Sequence, residues 1–226
     1  MADDNGQEQG LTLVECLVAL ILIAFVAGSV TPALVIAVAT RVQSQKAEQA
    51  IEVAQAEINA IRTTLERGNY TLDDLPASVT TLTSETDTAT YTGPTAGSLA
   101  ASTATYSTVG TTTARAVDID GDGDNDFGIQ IFRTPGQLNN SDLPIAFTVG
   151  VRVYDAVAIQ NGGAGTLDID EARIGTTGGE GERGRLPLAT VYTTVASADT
   201  SESYCGYYEF TSSSPSASAP VDLDCN

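Results

Sequence analysis

The densest run of apolar residues lies near the start of the chain. From Cys16 through Thr40, a stretch of 25 residues, no side chain carries a charge. As a helix this stretch would extend roughly 37 Å, and the hydrocarbon core of a bilayer is about 30 Å thick. The pattern therefore predicts a helix that spans a membrane once.

The same helix is expected to continue over residues 41–67, where the apolar side chains narrow to a stripe. They are separated by steps of three and four residues, which places them on one face of a helix. The stripe consists of Ile51, Ala54, Ile58, Ile61 and Leu65. Gly68 and Asn69 follow as a stop signal, so we predict a single helix of roughly 55 residues whose second half packs on a head domain.

Beyond residue 69 the hydrophobic pattern changes from the helical period to that of strands. Runs of β-branched and aromatic residues predict strands at 127–133, 145–154 and 187–196. Residues 78–115 are rich in Thr, Ser and Ala and are predicted to form a surface loop region with short strands. We therefore expect an α+β fold, in which a long N-terminal helix packs on an antiparallel β-sheet head.

Charge and composition exclude several classes of function. The formal net charge is −19, from 29 acidic and 10 basic residues, and the chain has no His. Such a surface repels nucleic acid, so no nucleic-acid partner is expected. Without His the chain lacks the commonest general base and any Ser-His-Asp site. Paired carboxylates could still hydrolyse glycans, but no pair stands out, and we do not expect an enzyme.

One charged residue stands close to the start of the apolar run. Glu15 lies five residues after Gly10, and an isolated carboxylate in lipid costs about 3 kcal/mol or more. The string GLTLVE at residues 10–15 resembles the type IV prepilin cleavage site, in which Gly, an apolar residue, Thr, Leu, any residue and Glu precede an apolar helix. The resemblance implies that a prepilin peptidase cuts between Gly10 and Leu11 and methylates the new Leu11 amine. A plain membrane anchor is the alternative.

Assembly roles follow from this resemblance. In a packed helix bundle, Glu15 of one subunit can neutralise the Leu11 amine of a neighbour, because both charges are penalised when unpaired. Pro32 interrupts the apolar run at the place where filament subunits of this class often carry a Pro that loosens the helix, although an ordinary membrane-helix kink is the alternative. The implied partners are other pilins through the N-terminal helix, a prepilin peptidase and the inner-membrane assembly platform.

The resemblance also implies a domain organisation and a location. Residues 1–10 form a leader, 11–40 the transmembrane half of the helix, 41–68 its amphipathic half, and 69–226 a β-rich head. Before assembly the chain is expected to be a single-pass inner-membrane protein with a periplasmic head. After assembly it belongs to a filament in the periplasm or at the cell surface.

An acidic segment suggests a metal site. Residues 118–126 read DIDGDGDND, with alternating carboxylates that can surround one hard cation. The ligands would be Asp118, Asp120, Asp122, Asp124 and Asp126. The start resembles an EF-hand loop, but the twelfth place is Ile129 and not Glu, so the segment is not an EF-hand. We predict a structural Ca²⁺ site, and the alternative is an acidic turn that only solvates the head.

Two of the three cysteines are close together near the C-terminus. Cys205 and Cys225 have 19 residues between them. In an exported domain such a pair predicts a disulfide, which at this loop size contributes about 3 kcal/mol in the chain-entropy model. Two unrelated thiols are the alternative. Cys16 lies inside the apolar run and is expected to be a small buried or lipid-facing residue.

Several further segments resemble one group of pilin-like proteins. VIAVATRVQSQKAEQAIEVAQAEINAIR, the DIDGDG loop, FTVGVRVYDA and LPLATVYT are together similar to cyanobacterial hormogonium polysaccharide secretion pseudopilins. This resemblance implies a minor filament-forming subunit that supports polysaccharide export and gliding motility. The alternatives are a pilus-associated, calcium-dependent adhesin or binding module and an exported enzyme tethered by a membrane helix.

Overall fold

The computed structural model describes residues 12–139, 141–172 and 184–197. A long N-terminal helix is followed by a six-stranded, mainly antiparallel sheet. The predicted α+β fold is therefore confirmed, with the arrangement of a type IV pilin. The chain divides into two units, one ending at Gln45 and the other beginning at Lys46.

The first helix, α1, comprises Leu13–Arg67 and has 55 residues. Every residue from 12 to 43 is exposed. In the described part of the chain, α1 is the one helix whose length and apolar composition would let it cross a membrane. The predicted length of the helix is confirmed.

In the second unit, α1 contributes a buried stripe to the core. The buried residues are Ala50, Ala54, Ile58, Ile61 and Leu65. Four of the five predicted stripe positions are confirmed. The prediction for Ile51 is wrong, because its side chain is 42% exposed and Ala50 is the buried residue at this end of the stripe. Both positions fit helical steps from Ala54, so the period alone does not separate them. The structure decides between them, since Ala50 is fully buried in the same cluster as the other four stripe residues.

The sheet contains six strands. They are β1 Leu99–Ala100, β2 Ala114–Val117, β3 Phe127–Arg133, β4 Gln137–Leu138, β5 Pro144–Asp155 and β6 Ala189–Ala196. Their order is β1-β2-β3-β5-β4, and β6 pairs with β5. The three predicted strands are confirmed with ends that differ by at most two residues. The sheet is not purely antiparallel, since β1 pairs with β2 in parallel.

Residues 78–115, predicted as a surface loop region with short strands, are mostly exposed or half-buried and include β1, but part of them also covers the sheet. They contain α2, Glu85–Thr90, which packs against β5 and β6. The ring of Tyr91 lies 4.6 Å from that of Phe132 on β3. The hydroxyl of Thr88 donates to the Ser84 carbonyl at 2.8 Å, so a small polar side chain can be buried with its hydrogen bond satisfied. Composition alone did not distinguish this packed segment from a solvated one.

The central strand β5 is buried on both faces. Its odd-numbered residues Phe147, Val149, Val151 and Val153 join the core that includes the stripe of α1. Successive side chains of a strand point to opposite faces, so the even-numbered residues Thr148, Gly150, Arg152 and Tyr154 face the other way. They too are buried. Arg152 lies under the segment that contains α2, whereas Tyr154 packs with Ile159 and Leu167. A third helix, α3, comprises Ala156–Asn161 and follows β5 directly.

Candidate functional site

The start of α1 is organised around Thr12. The Glu15 amide donates to the Thr12 carbonyl at 3.0 Å and to its hydroxyl oxygen at 3.3 Å. Thr12 thus occupies the position of an N-cap, and Glu15 lies in the first turn, where an acidic side chain is favourable. Gly10 and Leu11, the predicted cleavage and methylation positions, lie outside the described residues.

The Glu15 carboxylate has no ion-pair partner among residues 12–139, 141–172 and 184–197. Its surroundings on the helix are apolar and open, since Val14 is 68% exposed and Val18 is 48% exposed. In a membrane nothing in the described chain would offset the cost of burying this charge. The compensating group must therefore come from outside the described residues.

The predicted interruption at Pro32 lies within a continuous helix. Proline has no amide hydrogen, so one backbone hydrogen bond of this turn is missing. Ser29 and Thr31, close by, donate their hydroxyls to the carbonyls of Val26 at 2.9 Å and Ala27 at 2.7 Å. Such back-bonding slightly destabilises and bends helices. The helix is continuous through Pro32, and a role for this Pro in assembly stays a prediction.

The acidic segment forms the connection between β2 and β3. Its end is held by the sheet, because the Asp126 amide donates to the Val117 carbonyl at 2.9 Å and the Ala156 amide donates to the Asp126 carbonyl at 3.1 Å. The Asp126 carboxylate also accepts from the Ile119 amide at 2.8 Å. The loop therefore has a defined shape that its own carboxylates help to set.

Two glycines allow the chain to turn around Asp118. Gly121 and Gly123 have φ angles of 77° and 95°, in the region that side chains with a Cβ rarely occupy. Their amides donate to the two carboxylate oxygens of Asp118 at 2.7 and 3.0 Å. Each carboxylate oxygen accepts at more than one site, so Asp118 could still contact a cation.

Three of the five predicted metal ligands come together. Asp118, Asp120 and Asp126 each place a carboxylate oxygen within 4.8 Å of the other two. Ca²⁺ binds oxygen at about 2.3–2.6 Å, so oxygens on one ion are separated by at most about 5 Å, and the group has a suitable size. Asp122 and Asp124 lie outside it, and the Asp122 carboxylate instead accepts from the Asp124 amide at 2.8 Å.

A buried cation holds the face of the sheet that α2 covers. Arg152 on β5 is fully buried. Its guanidinium donates to the carbonyls of Thr88, Ala89 and Thr92, to Gln130 Oε1 and to the Tyr192 hydroxyl, at 2.7–3.3 Å. The group also lies 5.2 Å from the centroid of the Phe132 ring. These contacts join the end of α2 to three strands.

Arg152 was not among the residues predicted to have a functional role. A signal was present, since Arg stands among apolar residues in FTVGVRVYDA on a predicted strand, and buried charges require partners. Gln130, opposite Arg152 in the ladder between β3 and β5, was missed as well. Its side-chain amide donates to the carbonyls of Thr92 and Thr111 at 2.9 and 2.8 Å.

A second polar cluster joins α1 to β2. Glu57 accepts a hydrogen bond from the Tyr106 hydroxyl at 2.8 Å and forms an ion pair with Arg115. Burial and the neighbouring Glu57 carboxylate raise the pKa of Tyr106 well above its usual range. Lys46 on α1 pairs with Asp155 of β5 at 2.8 Å. Polar contacts therefore fasten the helix to the sheet beyond its apolar stripe.

The cysteines are only partly described. Cys205 and Cys225, the predicted disulfide pair, lie outside the described residues. Cys16 is a free, exposed thiol on α1. Its place on the apolar, exposed part of the helix agrees with the lipid-facing alternative, since it is not buried among the described residues.

Comparison with known proteins bears on the N-terminal segment alone. A family model described as the prokaryotic N-terminal methylation motif matches residues 5–31. No curated protein and no solved structure matches the chain. The matched residues include the predicted cleavage position and Glu15. The match supports a membrane-anchored, type IV pilin-like subunit that is processed by a prepilin peptidase and assembles with other pilins.

Proposed function

We propose that the chain is a minor pilin or pseudopilin, a structural subunit of a type IV pilus-like or secretion filament. The observation that carries the proposal is the methylation motif at the start of an exposed apolar helix that continues into a β-rich head. In this proposal residues 1–10 are removed, 11–40 lie in the membrane before assembly, 41–68 continue the helix, and 69–226 form the head. The role is structural and not enzymatic.

Cleavage and assembly are linked through charge in this proposal. Cutting after Gly10 creates a cationic amine at Leu11, and Glu15 lacks an ion-pair partner in the described part of the chain. When subunits pack side by side, the Glu15 carboxylate of one subunit pairs with the Leu11 amine of the next. In low dielectric the paired arrangement is favoured over two isolated charges, so the pair sets the register in which a subunit is added.

The test is Glu15→Val in cells that assemble the filament. The variant should be cleaved after Gly10 and carry a methylated Leu11, as mass spectrometry of the N-terminal peptide can show. Its amount in sheared filaments should fall at least about tenfold, because about 1.4 kcal/mol of lost pairing already changes an equilibrium that much. Glu48→Val, at an exposed position on α1, is the matched control and should be incorporated normally. Normal incorporation of Glu15→Val would refute the pairing.

The acidic loop is proposed to bind a structural Ca²⁺ through Asp118, Asp120 and Asp126. The spacing of their oxygens supports this proposal, and Asp122 and Asp124 would contribute only if the loop rearranged around the ion. At a calcium concentration ten times Kd, binding stabilises the native state by about 1.4 kcal/mol, which raises the Tm of a domain of this size by about 3–6 °C.

Calcium titration of the full chain in detergent, followed by thermal unfolding, tests this site. Asp120→Asn should abolish the rise in Tm. Asp142→Asn is the control, since Asp142 is exposed, has a φ of 60° that Asn tolerates, and should leave the rise unchanged. No change in the Tm of the unmodified chain up to millimolar calcium would exclude the site.

The cellular role is proposed to be polysaccharide secretion and gliding motility. Support for this role comes only from the resemblance of four segments to hormogonium polysaccharide secretion pseudopilins. A calcium-dependent adhesin is the second candidate, favoured by the carboxylate group of the acidic loop. Deleting the gene separates them, because loss of exported polysaccharide with normal adhesion supports the first role and the converse supports the second.

The Cys205–Cys225 disulfide is proposed as a covalent restraint on the C-terminal segment. Two cysteines separated by 19 residues in an exported head support it. Mass spectrometry of non-reduced peptides should find the two cysteines linked, whereas two alkylatable thiols would exclude the bond.

A further inference from the structure

A polar cleft of about 500 Å³ opens between the end of α1 and two single turns of 3₁₀ helix. The turns comprise Leu72–Asp74 and Tyr106–Thr108, and they lie against each other. Every residue that lines the cleft belongs to the described part of the second unit. The volume is within the range of about 300–1,000 Å³ that small-molecule sites occupy. The cleft shares no lining residue with the acidic loop.

The charges that line the cleft are balanced. Arg67, in the last turn of α1, and Arg115 on β2 contribute two guanidiniums. Asp73 and Asp74 contribute two carboxylates. The hydrogen bonds from Thr71 to Asp74 both end on Oδ2, so Oδ1 can accept from a ligand. The walls therefore offer a ligand both donors and acceptors.

Two of the lining side chains are held in place by α1. The Tyr106 hydroxyl donates to the Glu57 carboxylate at 2.8 Å, and Arg115 forms an ion pair with the same carboxylate through Nη2. The Arg115 guanidinium also lies 5.4 Å from the centroid of the Tyr106 ring. A guanidinium has five N–H donors, so Arg115 can keep this pair and still donate to a ligand. Because both side chains are already ordered, less free energy is lost in fixing them when a ligand binds.

This lining discriminates between classes of ligand. A small anion would meet two carboxylates and the field of a chain whose net charge is −19, whereas a cation would meet two guanidiniums. A neutral ligand rich in hydroxyls avoids both penalties, because each hydroxyl can donate to a carboxylate and accept from a guanidinium. Thr105 and Ser107 add two more hydroxyls to the lining, and the Tyr106 ring provides apolar surface for the C–H groups of a sugar.

We propose that this cleft binds a neutral saccharide. The carboxylates of Asp73 and Asp74 accept from its hydroxyls, the guanidiniums of Arg67 and Arg115 donate to them, and the Tyr106 ring contacts its C–H groups. The head then has a ligand-binding role in addition to a structural one. This inference does not depend on the proposed function, because it concerns ligand binding by the second unit alone.

Saturation-transfer NMR on the full chain in dodecylphosphocholine tests the proposal. This detergent carries no sugar group, unlike the alkyl glycosides, so it does not compete for the cleft as a saccharide. The probes are the methyl glycosides of glucose, galactose and mannose, and methyl glucuronide is the anionic comparison. At least one neutral glycoside should receive saturation from the protein, and it should bind at least about tenfold more tightly than the glucuronide, because the carboxylates of the cleft repel an anion.

Two pairs of variants locate the binding. Ser107→Trp places an indole in the cleft and should weaken binding at least about tenfold, whereas Ser102→Trp, at an exposed position of the same segment outside the lining, should leave it unchanged. Arg67→Met removes a charged donor and should weaken binding about threefold or more. Its control is Arg62→Met, exposed on the same helix and outside the lining. Thermal unfolding shows whether each variant has folded, and if Ser107→Trp has not, the two Arg variants decide the question.

The inference fails on any of three results. The first is that none of the neutral glycosides receives saturation from the unmodified chain. The second is equal binding by folded variants of the cleft and their controls, which would place the binding elsewhere on the protein. The third is tighter binding of methyl glucuronide than of every neutral glycoside, which would assign the cleft to anions.

Discussion

Replacing Arg152 by Met tests whether a buried guanidinium holds the segment containing α2 on the sheet. Met approximates the length of the side chain but donates no hydrogen bond. Three acceptors lose their described donor in this variant, the Ala89 carbonyl, Gln130 Oε1 and the hydroxyl oxygen of Tyr192, which is half-buried and can accept from water instead. The Thr88 and Thr92 carbonyls keep other donors, the Tyr91 amide and the Gln130 side chain.

The expected loss of stability follows mainly from the Ala89 carbonyl and Gln130 Oε1, which are left without a donor. Each costs about 1–3 kcal/mol when left unpaired in a buried site, about 2–6 kcal/mol together. Removing the charge also removes the cost of keeping it out of water, which offsets part of the loss. A net decrease of about 2–4 kcal/mol in the free energy of unfolding corresponds to a decrease of about 4–16 °C in Tm for a domain of this size.

The assay is thermal unfolding of the full chain in detergent. Near-ultraviolet circular dichroism suits it, because the chain has eight Tyr and no Trp and Tyr192 contacts Arg152 directly. Arg62→Met is the matched control, since Arg62 is exposed and makes one long contact of 3.5 Å with Thr193. It should lower Tm by less than about 2 °C, as surface substitutions change stability by about 0.5 kcal/mol at most. Equal effects of the two substitutions would show that Arg152 does not hold the covering segment.

Further predictions concern the stripe of α1 and the cap of α2. Ile61→Ala should lower the free energy of unfolding by about 2–5 kcal/mol in denaturant unfolding, because Ile61 is fully buried. Ile51→Ala should lower it by less than about 1 kcal/mol, because Ile51 is exposed. Equal losses would contradict the observed register of the helix. Hydrogen bonds from Thr83 lower the pKa of Asp87 in the folded state. The Asp87 carboxylate therefore stabilises the fold at pH values above the ordinary Asp pKa of about 3.9. This stabilisation is lost as the pH falls through the lower pKa of the folded state. Asp87→Asn should therefore reduce the drop in Tm between about pH 6 and pH 2, and an unchanged drop would exclude Asp87 as a source of acid sensitivity.

Local patterns accounted for much of the fold. The apolar run, the stripe of α1 and the three long strands were predicted because helices and strands impose periods of 3.6 and 2 residues on neighbouring side chains. The position of Glu15 relative to Gly10 is also a local feature, and the family match at residues 5–31 agrees with it. The acidic loop was recognised by composition, and its place ahead of β3 was predicted correctly.

The sequence by itself therefore determined the long helix, its apolar and striped halves, the main strands and the processing motif, since these depend on residues close together in the chain. Only the tertiary structure decided that Ala50 and not Ile51 packs on the sheet, and that three of five aspartates converge. It also decided that the segment around α2 covers the second face of the sheet and that Arg152 is buried beneath it. The physical reason is distance along the chain: the Arg152 guanidinium bonds to carbonyls more than 60 residues away, and no local period reports such a contact.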